Sequence, residues 1–309
     1  MEKQKITNII EEIPQYKVNK IANEVARRIV NVFQKTEEEY IQILEKLEKV
    51  KIKIAKFEDE KITHYYEEGQ IYFSSKIYLN SLNPKLIIEF LHYLSDEDDI
   101  TYFNEAVNLY ITKLLMQDLK ERMEVHEIFI SSLAEGNYAL LVNLVMQLNY
   151  LIGNDECANS TIFGNEDYKN KLEEAFGGFA ENFIRKFNIL YQYQLDYYTD
   201  EDLYEIHQKI KALYFEIQND IMDYGFNYIL RNVSNLEEIQ KSKEKLEELQ
   251  NLRGVIEEDK DYTERKDKIL ERLNRKEIEL SKTTKKNAIA IRYSNKLLEF
   301  FKKIFSFNH

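Results

Sequence analysis

In the stretch LIIEFLHYLSDEDDITYFNEAVNLYITKLLM, residues 86–116, Glu89 and His92 stand three positions apart and Glu105 follows in a second apolar segment. Residues three apart on a helix share a face, so a carboxylate and an imidazole here can act on one object. These are the side chains that bind a divalent metal or exchange protons near neutral pH. Alone, the pair carries little information, because ordinary helical cores produce a Glu and a His at this spacing. The chain contains no Gly-rich phosphate loop, Cys-x-x-Cys pair, serine nucleophile elbow or kinase signature. Any enzymatic reading therefore rests on this one stretch.

The surroundings narrow that reading. Residues 88–92 are Ile, Glu, Phe, Leu and His, and Asn104-Glu105-Ala106 follows on the next segment. The stretch resembles the zincin metallopeptidases, in particular bacterial members whose HExxH helix is followed by a second helix with an Asn-Glu-Gly-like motif. The similarity extends to the hairpin before the helix, to Tyr110-Ile111-Thr112, to QLNYLIG at 147–153 and to TIFGNED at 161–167, so it spans residues 60–175. In that family the two His of HExxH face one zinc, the Glu beside the first activates a bound water, and the third ligand comes from the second helix. The resemblance implies that His92 and Glu105 are metal-binding positions and Glu89 the general base.

Ile88 stands where the family has its first histidine. Isoleucine offers no lone pair, and a catalytic zinc needs three protein ligands with a fourth position open to water. Losing even an outer partner of a ligand lowers metal affinity about 10–100-fold, so losing an imidazole ligand costs at least that much. The expected site is vestigial: Glu89 a relic base, His92 and Glu105 relic ligands, and no cofactor unless zinc is held through a substitute donor. His64, in the preceding hairpin, and His126, after Glu105, are the substitutes to weigh, although a lone His is more often structural. His207 and His309 lie too far along the chain to assign.

These residues need elements to hold them. Apolar residues at three- and four-residue steps over 16–54, from Ile21 to Leu47, predict one long or two consecutive helices. ITHYYEEGQIYFSSKIYLNS reads as a β-hairpin around Gly69, continued by Lys76–Leu79. Asn83-Pro84 opens a helix, as a good N-cap followed by a residue suited to the first helical position. Further helices are expected at about 102–133, 138–152, 165–198 and 200–231, interrupted at Gly153 and Gly177-Gly178. Ser234 with Glu237 resembles a capping box that starts a charged helical hairpin turning near Gly254. The expected fold is mainly α with a small β-hairpin or sheet, an α+β class. It divides into an N-terminal helical segment over 1–54, a zincin-like core over 55–233, and a helical hairpin with a basic tail over 234–309.

Composition supports this class and excludes others. Only 8 Gly and 2 Pro occur among 309 residues, which favours long helices, and 44% hydrophobic residues suffice for a full core. A net charge of −12 argues against nucleic acid as a partner. Cys157 is the single cysteine and no signal peptide or membrane-spanning run is visible, so a reducing cytoplasm is the expected location. Residues 282–309 depart from the rest, with seven Lys or Arg against Glu299 for a net +6, leaving −18 elsewhere. Among them Phe300, Phe301, Lys302 and Lys303 are candidate binding residues, in a basic amphipathic helix that docks on the acidic body or on a membrane surface or partner groove. Tyr191, Tyr193, Tyr197 and Tyr198 form an aromatic cluster whose simplest explanation is a composition of 22 Tyr and no Trp. Three functions are open at this point. They are an inactive peptidase-like scaffold for an unknown protein or peptide, an active zinc peptidase with a substitute ligand, and a helical interaction protein without peptidase ancestry.

Overall fold

A computed structural model of the chain describes residues 6–60, 62–95, 102–116, 139–163, 167–196, 203–253 and 260–306. These residues are mainly helical with one small four-stranded sheet. Strand β1 (Ile6–Glu12), helices α1 (Gln15–Phe33) and α2 (Glu37–Leu47) and strand β2 (Lys51–Phe57) precede the hairpin of β3 (His64–Glu67) and β4 (Gln70–Phe73). The sheet order is β1-β2-β4-β3, with β2 and β4 parallel and both outer pairs antiparallel. Then come α3 (Pro84–Ser95), α4 (Tyr102–Met116), α5 (Ala139–Ile152), α6 (Asn154–Phe163), α7 (Asp167–Phe176), α8 (Ala180–Asp196), α9 (Leu203–Asn232), α10 (Leu236–Arg253) and α11 (Lys260–Ser306). No described helix is long and apolar enough to cross a membrane.

The hairpin turns where expected. Glu68 and Gly69 both have positive φ, 50° and 75°, the sense of turn that matches the twist of the flanking strands. The rest of the sheet corrects the sequence reading. The helical stripe does not reach residue 54: α2 stops at Leu47, and Lys51-Ile52-Lys53-Ile54 alternates with the period of two that a strand requires, burying Ile52 and Ile54. This strand straddles positions 54 and 55, and with the unanticipated β1 it doubles the sheet. Lys76–Leu79 is a 3-10 turn and not a further strand, because Ser75 Oγ accepts the Ile77 N–H at 3.3 Å and closes the chain on itself.

Among the helices, Asn83 caps α3, its Oδ1 accepting the Leu86 N–H at 3.1 Å. A 3-10 turn over Gly177–Phe179 separates α7 from α8, with Gly177 at φ 57°. Polar α6 adds a helix where no apolar stripe announces one. The expected helix from 102 is described as far as Met116, and residues 117–133 lie outside the described ones. The cap of α10 is displaced by one residue from the expected box. Asn235 Oδ1 accepts the Glu238 N–H at 2.9 Å and Glu238 returns to the Ser234 N–H at 2.7 Å, while Glu237 pairs with Lys241.

α10 and α11 are antiparallel neighbours, joined by Lys243 to Glu277 at 2.8 Å and Lys266 to Glu247 at 2.7 Å. The pair is fixed to the bundle by a buried polar network at the end of α10. Asn143 of α5 donates to the Leu252 carbonyl at 3.2 Å and Gln218 of α9 to the Arg253 carbonyl at 3.4 Å, taking up groups that a helix end leaves open. Tyr214 donates to Asn143 Oδ1 at 2.6 Å, and burial pushes its phenol well above the ordinary tyrosine range. The Arg253 side chain is fully buried, bonded to Asn219 at 3.1 Å and lying 4.3 Å over the Tyr262 ring.

Candidate functional site

Strand β3 and helices α3 and α4 converge on the residues singled out by the sequence. Along a strand alternate side chains share a face, which groups His64 with Tyr66, and Glu89 and His92 are about one turn apart on α3. Two strand residues advance ~6.6 Å and three helix residues ~4.5 Å, so a strand laid along a helix can match both pairs. His64 Nδ1 lies 2.6 Å from Glu89 Oε1. The Tyr66 ring stacks near His92 with centroids 6.4 Å apart and planes inclined by 15°. From α4, Glu105 Oε2 stands 2.9 Å from His92 Nε2. Asn108, three residues further along α4, donates its amide to His92 Nδ1 at 3.1 Å.

The cluster is buried on most sides. Side-chain exposures are 5% for Glu89, 7% for His92 and 16% for Glu105, and His64, at 27%, is its most accessible member. α3 is apolar around nearly its whole circumference, packed by β3, α2, α4 and α6, so Glu89 and His92 sit inside the core. The second carboxylate oxygen of Glu89 is buried without a hydrogen-bond partner. Behind the pair, Tyr110 bonds Asn149, and burial drives its phenol well above the usual range. Tyr168 donates to the same Asn149 at 2.6 Å, so α4, α5 and α7 are joined here.

Ile88 is 4% exposed and lies one turn before His92 on the same side of α3. The two donors that remain, His92 Nε2 and Glu105 Oε2, are 2.9 Å apart, inside the ~3.3 Å expected between ligand atoms sharing a tetrahedral zinc. Among the described residues no three His, Cys, Asp or Glu side chains group as a metal site. Ile88 brings no donor to this group, which consists of two acid–base pairs, with the second oxygen of Glu89 buried and unpartnered.

His64 is the member that sequence reasoning set aside as a minor possibility, and the available signal was its period-two spacing with Tyr66 in the strand before α3. His126 and His309 lie outside the described residues, and His207 is half-buried on α9. Tyr191 and Tyr193 are half-buried on α8 against the core, while Tyr197 and Tyr198 are outside the described residues. Phe300, Phe301, Lys302 and Lys303 fall on α11, with side chains outside those described. No protein-family model, no curated protein and no solved structure matches the chain.

Proposed function

We propose that this chain is a catalytically inactive, zinc-peptidase-like protein that retains the region around α3 as a binding or structural scaffold for a protein or peptide. One observation carries the reading: His92 and Glu105 are engaged with each other at 2.9 Å beside the buried Ile88. Removing one partner of such a buried pair costs about 3–5 kcal/mol, so the pair holds α3 to α4 whether or not chemistry occurs there. The HExxH-like frame supplies the ancestry, and the hydrocarbon at position 88 removes the donor that chemistry would need.

Peptide hydrolysis by the metal-supplemented protein is the corresponding experiment. The expected result is no turnover and no difference between the native chain and Glu89→Gln. Chelator-sensitive hydrolysis abolished by Glu89→Gln would overturn the proposal in favour of a second reading, an active zinc peptidase with His64 as substitute ligand. That reading has its own support in the 2.6 Å approach of His64 to Glu89 and in the unpartnered Glu89 oxygen.

A further inference from the structure

Helix α11 is longer than the helices that flank it. Its 47 residues span ~70 Å, whereas the 18 residues of α10 span ~27 Å. Lys243 meets Glu277, and α10 begins at Leu236, so α10 accompanies α11 only to about residue 284. α9 runs parallel to α11, with Asn219 beside Asp261 and Asp223 beside Arg265, and its end at Asn232 falls next to about residue 274. Some 22 residues of α11, roughly 33 Å, continue past both.

Burial follows this geometry. Tyr262, Ile269 and Leu273 are buried, Leu280 is half-buried, and Thr283 and Ser294 are exposed. On a helical projection Thr283 and Ser294 share one side with positions Tyr293, Leu297, Phe300, Phe301, Ile304 and Phe305. Lys285, Arg292, Lys296, Lys302 and Lys303 occupy the other, while Lys286 falls on the apolar side. α11 continues as a single helix through Ser306, past the ends of α9 and α10.

We infer that residues 284–306 form a docking helix for an anionic lipid surface. The segment is basic within a chain of net charge −12, and it carries a wide apolar side that a partner must match. A second copy of the chain brings the same segment, and its equal positive charge opposes pairing of the two. A bilayer supplies an apolar interior beneath anionic headgroups, the pairing that basic amphipathic helices recognise. The acidic body is then held off the surface by a rigid arm.

Co-sedimentation of the full chain with vesicles tests this inference. Binding is expected to phosphatidylcholine vesicles containing about 30% phosphatidylserine and not to phosphatidylcholine alone, and to weaken in high salt. Leu297→Glu with Phe301→Glu, and separately Lys302→Glu with Lys303→Glu, should each lower partitioning at least ~10-fold, with the thermal midpoint of the body unchanged. Failure to bind anionic vesicles, or binding that both double variants leave intact, overturns the inference. So does concentration-dependent self-association abolished by Leu297→Glu with Phe301→Glu in a chain that ignores vesicles, which would assign the helix to a second copy.

Discussion

Two of the polar clusters buried among the described residues differ in what they bond. Between α5, α9 and α10, amides and phenols close over the end of a helix, and the groups they serve include the backbone carbonyls of Leu252 and Arg253. Around α3, His64 with Glu89 and His92 with Glu105 bond side chain to side chain. The first cluster completes the backbone, which no apolar substitute could do. The second buries ionisable groups where well-packed hydrocarbons would serve the fold equally. On the proposed reading, the pairs around α3 are what a lost function leaves behind.

Substitutions can break or sharpen this contrast. Among the largest effects is that of Arg253→Ala, which removes a fully buried side chain from Tyr262 and Asn219 and should cost about 3–5 kcal/mol in urea unfolding. Asn143→Leu should follow at about 1–3 kcal/mol, since the Leu252 carbonyl loses its donor. In the α3 cluster, His92→Ala should cost about 3–5 kcal/mol by stranding Glu105. The paired replacement His92→Leu with Glu105→Leu should be close to neutral or stabilising by about 1–4 kcal/mol. If the paired replacement proves as damaging as the single one, the two clusters are alike and the contrast fails.

High pH should weaken the network that serves the backbone. Burial pushes Tyr262 up to about 12, against ~10 for an unfolded chain. The unfolded chain releases this proton first, so the stability present below pH ~10 falls as pH rises from about 10 to 12. Thermal midpoints over that range should decline less steeply in Tyr262→Phe. At the opposite end of α10 the effects are smallest: Asn235→Ala should cost ~1 kcal/mol, and Glu237→Ala, at an exposed pair, should leave unfolding unchanged.

The sequence announced those parts of the fold whose signal is local. Gly69 between two β-prone runs marks the hairpin, and Asn83-Pro84 marks the start of α3. His92 and Glu105 were found through a motif carried by helical spacing, and they meet at 2.9 Å. Lys51–Phe57 was legible in its alternation but was absorbed into the helical stripe before it. β1, an edge strand with Ile9 and Ile10 about half exposed, lacks the one-sided burial that makes a strand stand out. Approach of His64 to Glu89 depends on how β3 lies along α3, a tertiary relation that neither segment encodes alone. The same holds for Asn143, Gln218 and Arg253, which belong to three helices far apart in the chain.

Zinc titration of the native chain beside Ile88→His addresses the missing donor most directly. The native protein should retain no tightly bound zinc after desalting, and Ile88→His should gain affinity by at least about 10–100-fold. One zinc per native chain, lost on His92→Ala or Glu105→Ala, would contradict the inactive-scaffold proposal.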